Sequence, residues 1–179
     1  MDIRTALENR RSVRKYDTNK EVSSDLINDL LEAARQAPSW KNLQCWRFIV
    51  VRDSEKKKKL AESLYEGNPA VKALVDAPVA IVVCGDPDAS GKLDGKEYYL
   101  LDTGLAMQQL MLAAHAHGLG TCWVAMFDEG TARSACNVPP EYKVVAMTPV
   151  GFPAKEPQPR PRMELEEMVY LDEWEKPYF

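Results

Sequence analysis

The chain has 179 residues, 45% hydrophobic and 28% charged, which is enough apolar content for one compact domain and too much for a disordered segment. Its formal net charge of −4 argues against nucleic acid or an anionic membrane surface as the main partner. Cys45, Cys84, Cys122 and Cys136 form no C-x-x-C pair and are accompanied only by His115 and His117, so buried free thiols are expected rather than zinc or a disulfide framework.

The N-terminus is charged from Asp2 onward and lacks the apolar stretch of a signal peptide, and no later run is long enough to span a bilayer. A cytoplasmic protein without a membrane partner is therefore expected. Ile3, Ala6 and Leu7 mark a short amphipathic helix with Arg10, Arg11 and Arg14 at its end. A second helix follows, capped by Ser23 or Ser24, with Leu26, Ile27, Leu30, Leu31 and Ala34 at helical spacing until Pro38 stops it. "WRFIVVRD" reads as a strand, and Ser54 as the cap of a helix whose lysines form a solvated face.

Asn68 before Pro69 resembles a helix cap with proline at the first helical position. "PVAIVVCG" is a continuous apolar run, as in a strand buried on both faces and therefore central. "DPDASGKLDGKE" is polar and turn-rich, and predicts a mobile surface loop. From Lys96 to His117 the spacing predicts a long helix, apolar on nearly every side and closed at Gly118, to be buried by the fold or by a second subunit. "GTCWVAMF" and "YKVVAMTPVG" complete a set of four strands with five helices. The proline-rich stretch "FPAKEPQPRPR" predicts an extended arm.

Most familiar chemistries are missing. Gly118 and Gly120 follow a helix and precede a strand, the reverse of a dinucleotide fingerprint, and there is no phosphate loop, no nucleophile elbow and no triad base. On a largely apolar helix, His115 and His117 read as packing or capping residues. What remains is the arginine cluster, with the Ser12 hydroxyl inside it and a second pair, Arg160 and Arg162, in the distant arm. Guanidinium forks match a phosphate group. By composition alone, surface arginines at a helix end are an equal alternative.

Four segments, "RRSVRKYD", "APSWKNLQCWRFIVV", "AAHAHGLGTCWVAMFDE" and "PVGFPAKEPQPRPRMELEEMV", cover nearly the whole chain in order and resemble the FMN-dependent nitroreductase family. The resemblance implies an α+β fold, a three-layer α-β-α sandwich with a central mixed, mainly antiparallel sheet, built as an intertwined homodimer. It also implies a single FMN-binding domain over 1–179, with 152–179 as a C-terminal arm crossing the partner.

Residue by residue, Arg10, Arg11, Ser12 and Arg14 match the family's N-terminal flavin motif, Arg10 and Ser12 on the phosphate and Arg14 toward the ribityl chain and pyrimidine edge. Arg160 and Arg162 would close the phosphate site. Pro38, Ser39, Asn42 and Gln44 match the segment laid against the flavin ring from the neighbouring subunit, with Asn42 and Gln44 as ordinary turn residues the other reading. Thr121, Cys122, Trp123, Val124, Ala125 and Met126 match the segment on the ring's other side, where backbone N–H groups reach the hydride-accepting nitrogen. Asn68 and Lys72 match a further pair near the pyrimidine.

Cys45 stands where the family often has proline, which leaves open a reactive thiol near the flavin or, the stronger reading, an inert buried cysteine. The implied activity is ping-pong hydride transfer from NADH or NADPH through FMN to a small-molecule electron acceptor such as a nitroaromatic or quinone, with no side chain as nucleophile. The alternatives are a non-catalytic FMN storage or sensor protein and an unrelated anion-binding module.

Overall fold

The computed structural model describes residues 2–179. Its frame is a four-stranded sheet in the order β1 (Trp46–Val51), β2 (Val79–Gly85), β6 (Lys143–Gly151), β5 (Gly120–Thr121). A small hairpin of β3 (Lys92–Leu93) and β4 (Lys96–Glu97) stands apart from it. All three pairings of the large sheet are antiparallel, and a parallel bridge joins Ser12 to Thr121 at its edge.

Period-2 alternation along β2 explains the three layers. Val79, Ile81 and Val83 face a cluster with Ile27, Leu30 and Leu110, while Ala80, Val82 and Cys84 face one with Leu60, Leu74 and Met147. Every residue of β2 is buried, as its unbroken apolar sequence requires for a strand covered on both sides. The first layer is α2 (Ser24–Arg35) and α5 (Tyr98–Ala116), and the second is α3 (Ser54–Glu62), α4 (Val71–Asp76) and α6 (Glu129–Cys136). The fold is thus an α+β, three-layer α-β-α sandwich.

Helix boundaries follow local chemistry. Helix α1 (Ile3–Asn9) starts on Asp2, whose carboxylate accepts from the Thr5 amide at 3.0 Å, and ends where the arginines begin. The Ser23 hydroxyl accepts from the Leu26 amide at 3.2 Å, as expected for α2. The cap of α3 is Asp53 rather than Ser54, because its carboxylate reaches the Lys56 amide at 2.8 Å. Asn68 caps a turn ahead of α4, accepting from the Ala70 amide at 2.9 Å, so the helix starts at Val71, later than Pro69 suggested. Helix α5 closes in a left-handed Gly118, φ +74°, whose missing Cβ makes that conformation cheap.

Six strands and six α-helices, with two 3₁₀ turns, are described where the sequence suggested four strands and five helices, the additions being short. Lys96 and Glu97 form β4 instead of starting α5, since the Asp94-Gly95 turn, φ +51° and +75°, folds them back on β3. The stretch expected to be a mobile loop therefore contains a paired hairpin. "GTCWVAMF" contributes only two strand residues and two isolated antiparallel bridges, from Val124 to Met147 and from Phe127 to Leu64, and the Pro-rich stretch has no regular helix or strand, as expected. No described helix is long and apolar enough to cross a membrane.

Candidate functional site

Both ends of the chain meet at the carbonyl end of α5. A cavity of about 570 Å³ is lined by Arg10, Arg11, Ser12, Arg14, Arg160 and Arg162. An adjoining cavity of about 510 Å³ shares Arg10, Arg11 and Gln158 and adds His115, Thr121 and Glu156. The Val13 amide, donating to the Thr121 carbonyl at 2.8 Å, pins the N-terminal motif to the sheet edge. Val13 and Tyr16 anchor it further by packing against Ala73 and Ala77.

This positive charge is uncompensated. Among the described residues, none of the five arginines in the larger cavity forms an ion pair, whereas Arg4, Arg35 and Arg133 each hold a glutamate within their own helix. Burial, with Arg162 and Arg11 alongside, pushes the Arg10 guanidinium below its ordinary value. Arg11 donates to the carbonyls of Glu8 at 2.6 Å and Arg10 at 2.8 Å, but its Nε is buried without a partner. Gathering like charges this way is unfavourable unless an anion sits among them. The cavity therefore fits a phosphate monoester.

His115 shares that field. Its Nε2 is buried and unpaired, and burial, reinforced by Arg10 and Arg11, holds the imidazole below its ordinary value against the weaker pull of Glu156. It is a neutral side chain in a cationic wall, a position that helical periodicity could not reveal.

The other expected residues lie elsewhere. Pro38, Ser39, Asn42 and Gln44 surround a single 3₁₀ turn, Trp40–Asn42, near the N-terminal end of α5, where the buried carboxylate of Asp102 accepts from the Trp40 amide at 2.9 Å. Thirteen residues of helix separate Asp102 from His115, a rise of roughly 20 Å at 1.5 Å per residue. The two groups of expected residues thus stand toward opposite ends of one helix. Lys41, Asn42 and Gln44 have φ of +48°, +59° and +51°, each costing about 1–2 kcal/mol outside glycine, less for Asn. Gln44 is held by its amide donating to Ser39 Oγ at 3.0 Å and by its carboxamide donating to the Asn42 carbonyl at 3.2 Å.

Thr121 and Val124 are buried, while Trp123, Ala125 and Met126 are exposed. Val124 spends its amide and carbonyl on Met147, at 3.0 and 2.9 Å, and the amides of Ala125 and Met126 find no acceptor among the described residues. Asn68 donates to the Met126 carbonyl at 3.1 Å, fixing the end of this segment. Lys72 pairs with Asp76 at 2.9 Å on the surface of α4.

The thiols are quiet. Burial and the neighbouring Asp102 carboxylate push the Cys45 thiol up to about 11, and burial raises Cys122 against the opposing pull of Arg14. Both stay protonated at neutral pH, which removes the reactive-thiol reading. Asp102 escaped the sequence reading, although an acid inside an otherwise apolar helix was a visible signal. Gln158 escaped it because nothing in an extended arm shows which side chains turn inward.

Comparison with known proteins assigns the relationship. The Nitroreductase family pattern matches residues 7–74 and 68–152. A Methanothermobacter thermautotrophicus protein carrying the provisional name NADH dehydrogenase/NAD(P)H nitroreductase is 35% identical over 97% of this chain and 88% of its own. The crystal structure of a nitroreductase family protein from Clostridium novyi superimposes with a TM-score of 0.83 at 33% identity, covering 99% of this chain and 97% of the other. An FMN-dependent nitroreductase from Clostridium difficile gives 0.82 at 29% identity, over 94% and 98%. The chain belongs to the nitroreductase family and is an enzyme of nitroreductase type.

Proposed function

We propose that the protein binds FMN and carries reducing equivalents from NADH or NADPH to a small oxidised acceptor such as a nitroaromatic or quinone, as a homodimer. The observation that carries this reading is the convergence of uncompensated arginines from both chain ends on one cavity. Arg10, Arg11, Ser12, Arg160 and Arg162 would hold the cofactor phosphate, and Arg14 would extend the positive field toward the ring. The flavin supplies hydride acceptance and donation. The protein's share is placement, shielding from water and a field that favours negative charge on the reduced cofactor.

The free amides of Ala125 and Met126, beside exposed Trp123, offer donors to one side of the ring, and Asn68 orders that segment. The segment of Pro38, Ser39, Asn42 and Gln44 offers the carboxamides of Asn42 and Gln44 to the other, but stands one helix length from the arginines. A two-fold axis across α5 would bring each half-site to its complement. That helix presents Leu101 and Leu105 at 56% and 46% exposure, flanked by exposed Ile3 and Leu7 of α1, an apolar stripe suited to a second copy.

The arm supports the same assembly. Its last turns fold on themselves through Tyr170 and Trp174, ring centroids 4.7 Å apart, and leave Trp174 78% exposed. Large apolar groups on an arm of one domain would be covered by the partner. The test is the visible spectrum of purified protein supplied with FMN, before and after anaerobic NADH or NADPH. Rapid bleaching of bound flavin is expected, followed by reoxidation on adding a quinone. Bound flavin that neither nucleotide reduces would mean a storage or sensor protein, and failure to bind flavin would overturn the reading.

A further inference from the structure

Asp102 is a buried acid in the most apolar helix of the protein, 3% exposed, and none of the chemistry above uses it. Three donors from two segments distant in sequence converge on its carboxylate. The Trp40 amide donates to Oδ1 at 2.9 Å, the Ser90 hydroxyl to Oδ2 at 2.8 Å, and the Cys45 thiol to Oδ2 at 3.6 Å. An ionised carboxylate only accepts hydrogen bonds, and has lone pairs for all three. A buried charge so placed is costly unless each contact is made, so its surroundings are built around it.

Those segments are the left-handed turn carrying Asn42 and Gln44, which ends at Cys45 on the entry to β1, and the β3–β4 hairpin with Ser90 ahead of it. They touch one another as well. The Trp40 ring lies 4.3 Å from that of Tyr98, the Tyr98 amide donates to the Gly91 carbonyl at 2.9 Å, and a Cβ on Gly91 would collide with the Trp40 ring. The Asp86 amide donates to the Cys45 carbonyl at 3.0 Å, tying the start of the hairpin segment to the same point.

We infer that Asp102 is a positioning residue that locks the 39–45 turn and the 90–98 hairpin into one body, so that the ring-side carboxamides and the wall formed by the hairpin keep one fixed relation. The functional part of this inference rests on the flavin reading above. The mechanical part does not. The turn closes on itself through the Asn42 and Leu43 amides, which donate to the Ser39 and Trp40 carbonyls at 3.0 and 2.9 Å, and the Gln44 amide, which donates to Ser39 Oγ at 3.0 Å. Its three left-handed non-glycine residues carry strain, however, and none of these bonds fixes its place against the rest of the protein, which takes a restraint from outside. The Trp40 amide bond to Asp102 is that restraint, and the Ser90 bond passes the same restraint to the hairpin.

Hydrogen–deuterium exchange on the flavin-free full chain tests the mechanical part. In Asp102→Ala, amides in 39–45 and 90–98 should exchange at least tenfold faster together, while β2 and β6 keep the wild-type rate. In Ser90→Ala, only 90–98 should accelerate. Asp102→Asn retains an acceptor for the Trp40 amide and should keep 39–45 near wild type. Equal acceleration across the sheet, acceleration of one segment alone in Asp102→Ala, or no acceleration would overturn the lock. With FMN bound, Asp102→Ala should alter the visible circular dichroism of the flavin and raise KM for the acceptor more than it lowers kcat, with recovery in Asp102→Asn. An unaltered dichroism would overturn the functional part. A wild-type protein that takes up no flavin would instead overturn the proposed function, leaving the exchange result to decide the lock.

Discussion

The two ends of α5 treat charge in opposite ways. At one, the carboxylate of Asp102 is buried and met by three donors from its own chain. At the other, five arginines gather around a cavity without a carboxylate partner among the described residues. A charge satisfied from within holds segments in place, whereas charge left unsatisfied has its complement in another molecule. The sequence displays arginines and acids alike, and only their partners separate architecture from binding.

The largest effect should come from breaking the proposed dimer, through which the two ends would meet. Leu101→Glu with Leu105→Glu places carboxylates on the exposed stripe of α5, and the protein should become monomeric by light scattering and lose flavin altogether, while far-UV circular dichroism is retained. A monomer that still binds flavin tightly would break the two-half-site reading. Next, Arg10→Ala should weaken FMN binding by about 1.5–3 kcal/mol, roughly ten- to a hundredfold or more in Kd by fluorescence titration. Arg35→Ala, which removes an exposed intrahelical pair, should leave Kd unchanged.

At the Asp102 end the effects fall on stability. Gly91→Ala would drive a methyl into the Trp40 ring and should cost about 1–3 kcal/mol, read as a lower melting temperature without a matching loss of phosphate affinity. The smallest effect concerns His115. Its folded value lies below the ordinary 6.5, so the unfolded chain takes up a proton first as pH falls. Flavin-free protein should therefore lose stability as pH drops below about 6.5, and His115→Asn should flatten that part of the curve. Added phosphate should oppose the loss, because an anion among the arginines makes a protonated His115 less costly.

Much was legible beforehand because it depends on local periodicity and composition. The apolar run of β2 could only be a doubly covered strand, and the spacing in α2 could only be a helix with one buried face. The arginine cluster was legible as an anion candidate because like charges close in sequence stay close whatever the fold does. What escaped was set by contacts distant in sequence. Ser90 lies in a segment that looks like a mobile loop, and nothing local shows that its hydroxyl finds Asp102 across a tight hairpin.

The chain's order of residues was sufficient for the central strand, the helical spacing and the clustering of Arg10, Arg11 and Arg14, since each follows from burial pattern or charge along a short stretch. The three layers, by contrast, were expected only through the family resemblance, and the quiet of Cys45 rests on burial beside Asp102. Whether Arg160 and Arg162 join Arg10 in one cavity, and whether the turn at Asn42 stands near or far from it, depended on how helices and sheet pack in space. Those are long-range contacts, formed because α5 must bury one face against the sheet, and its length then sets roughly 20 Å between the two ends.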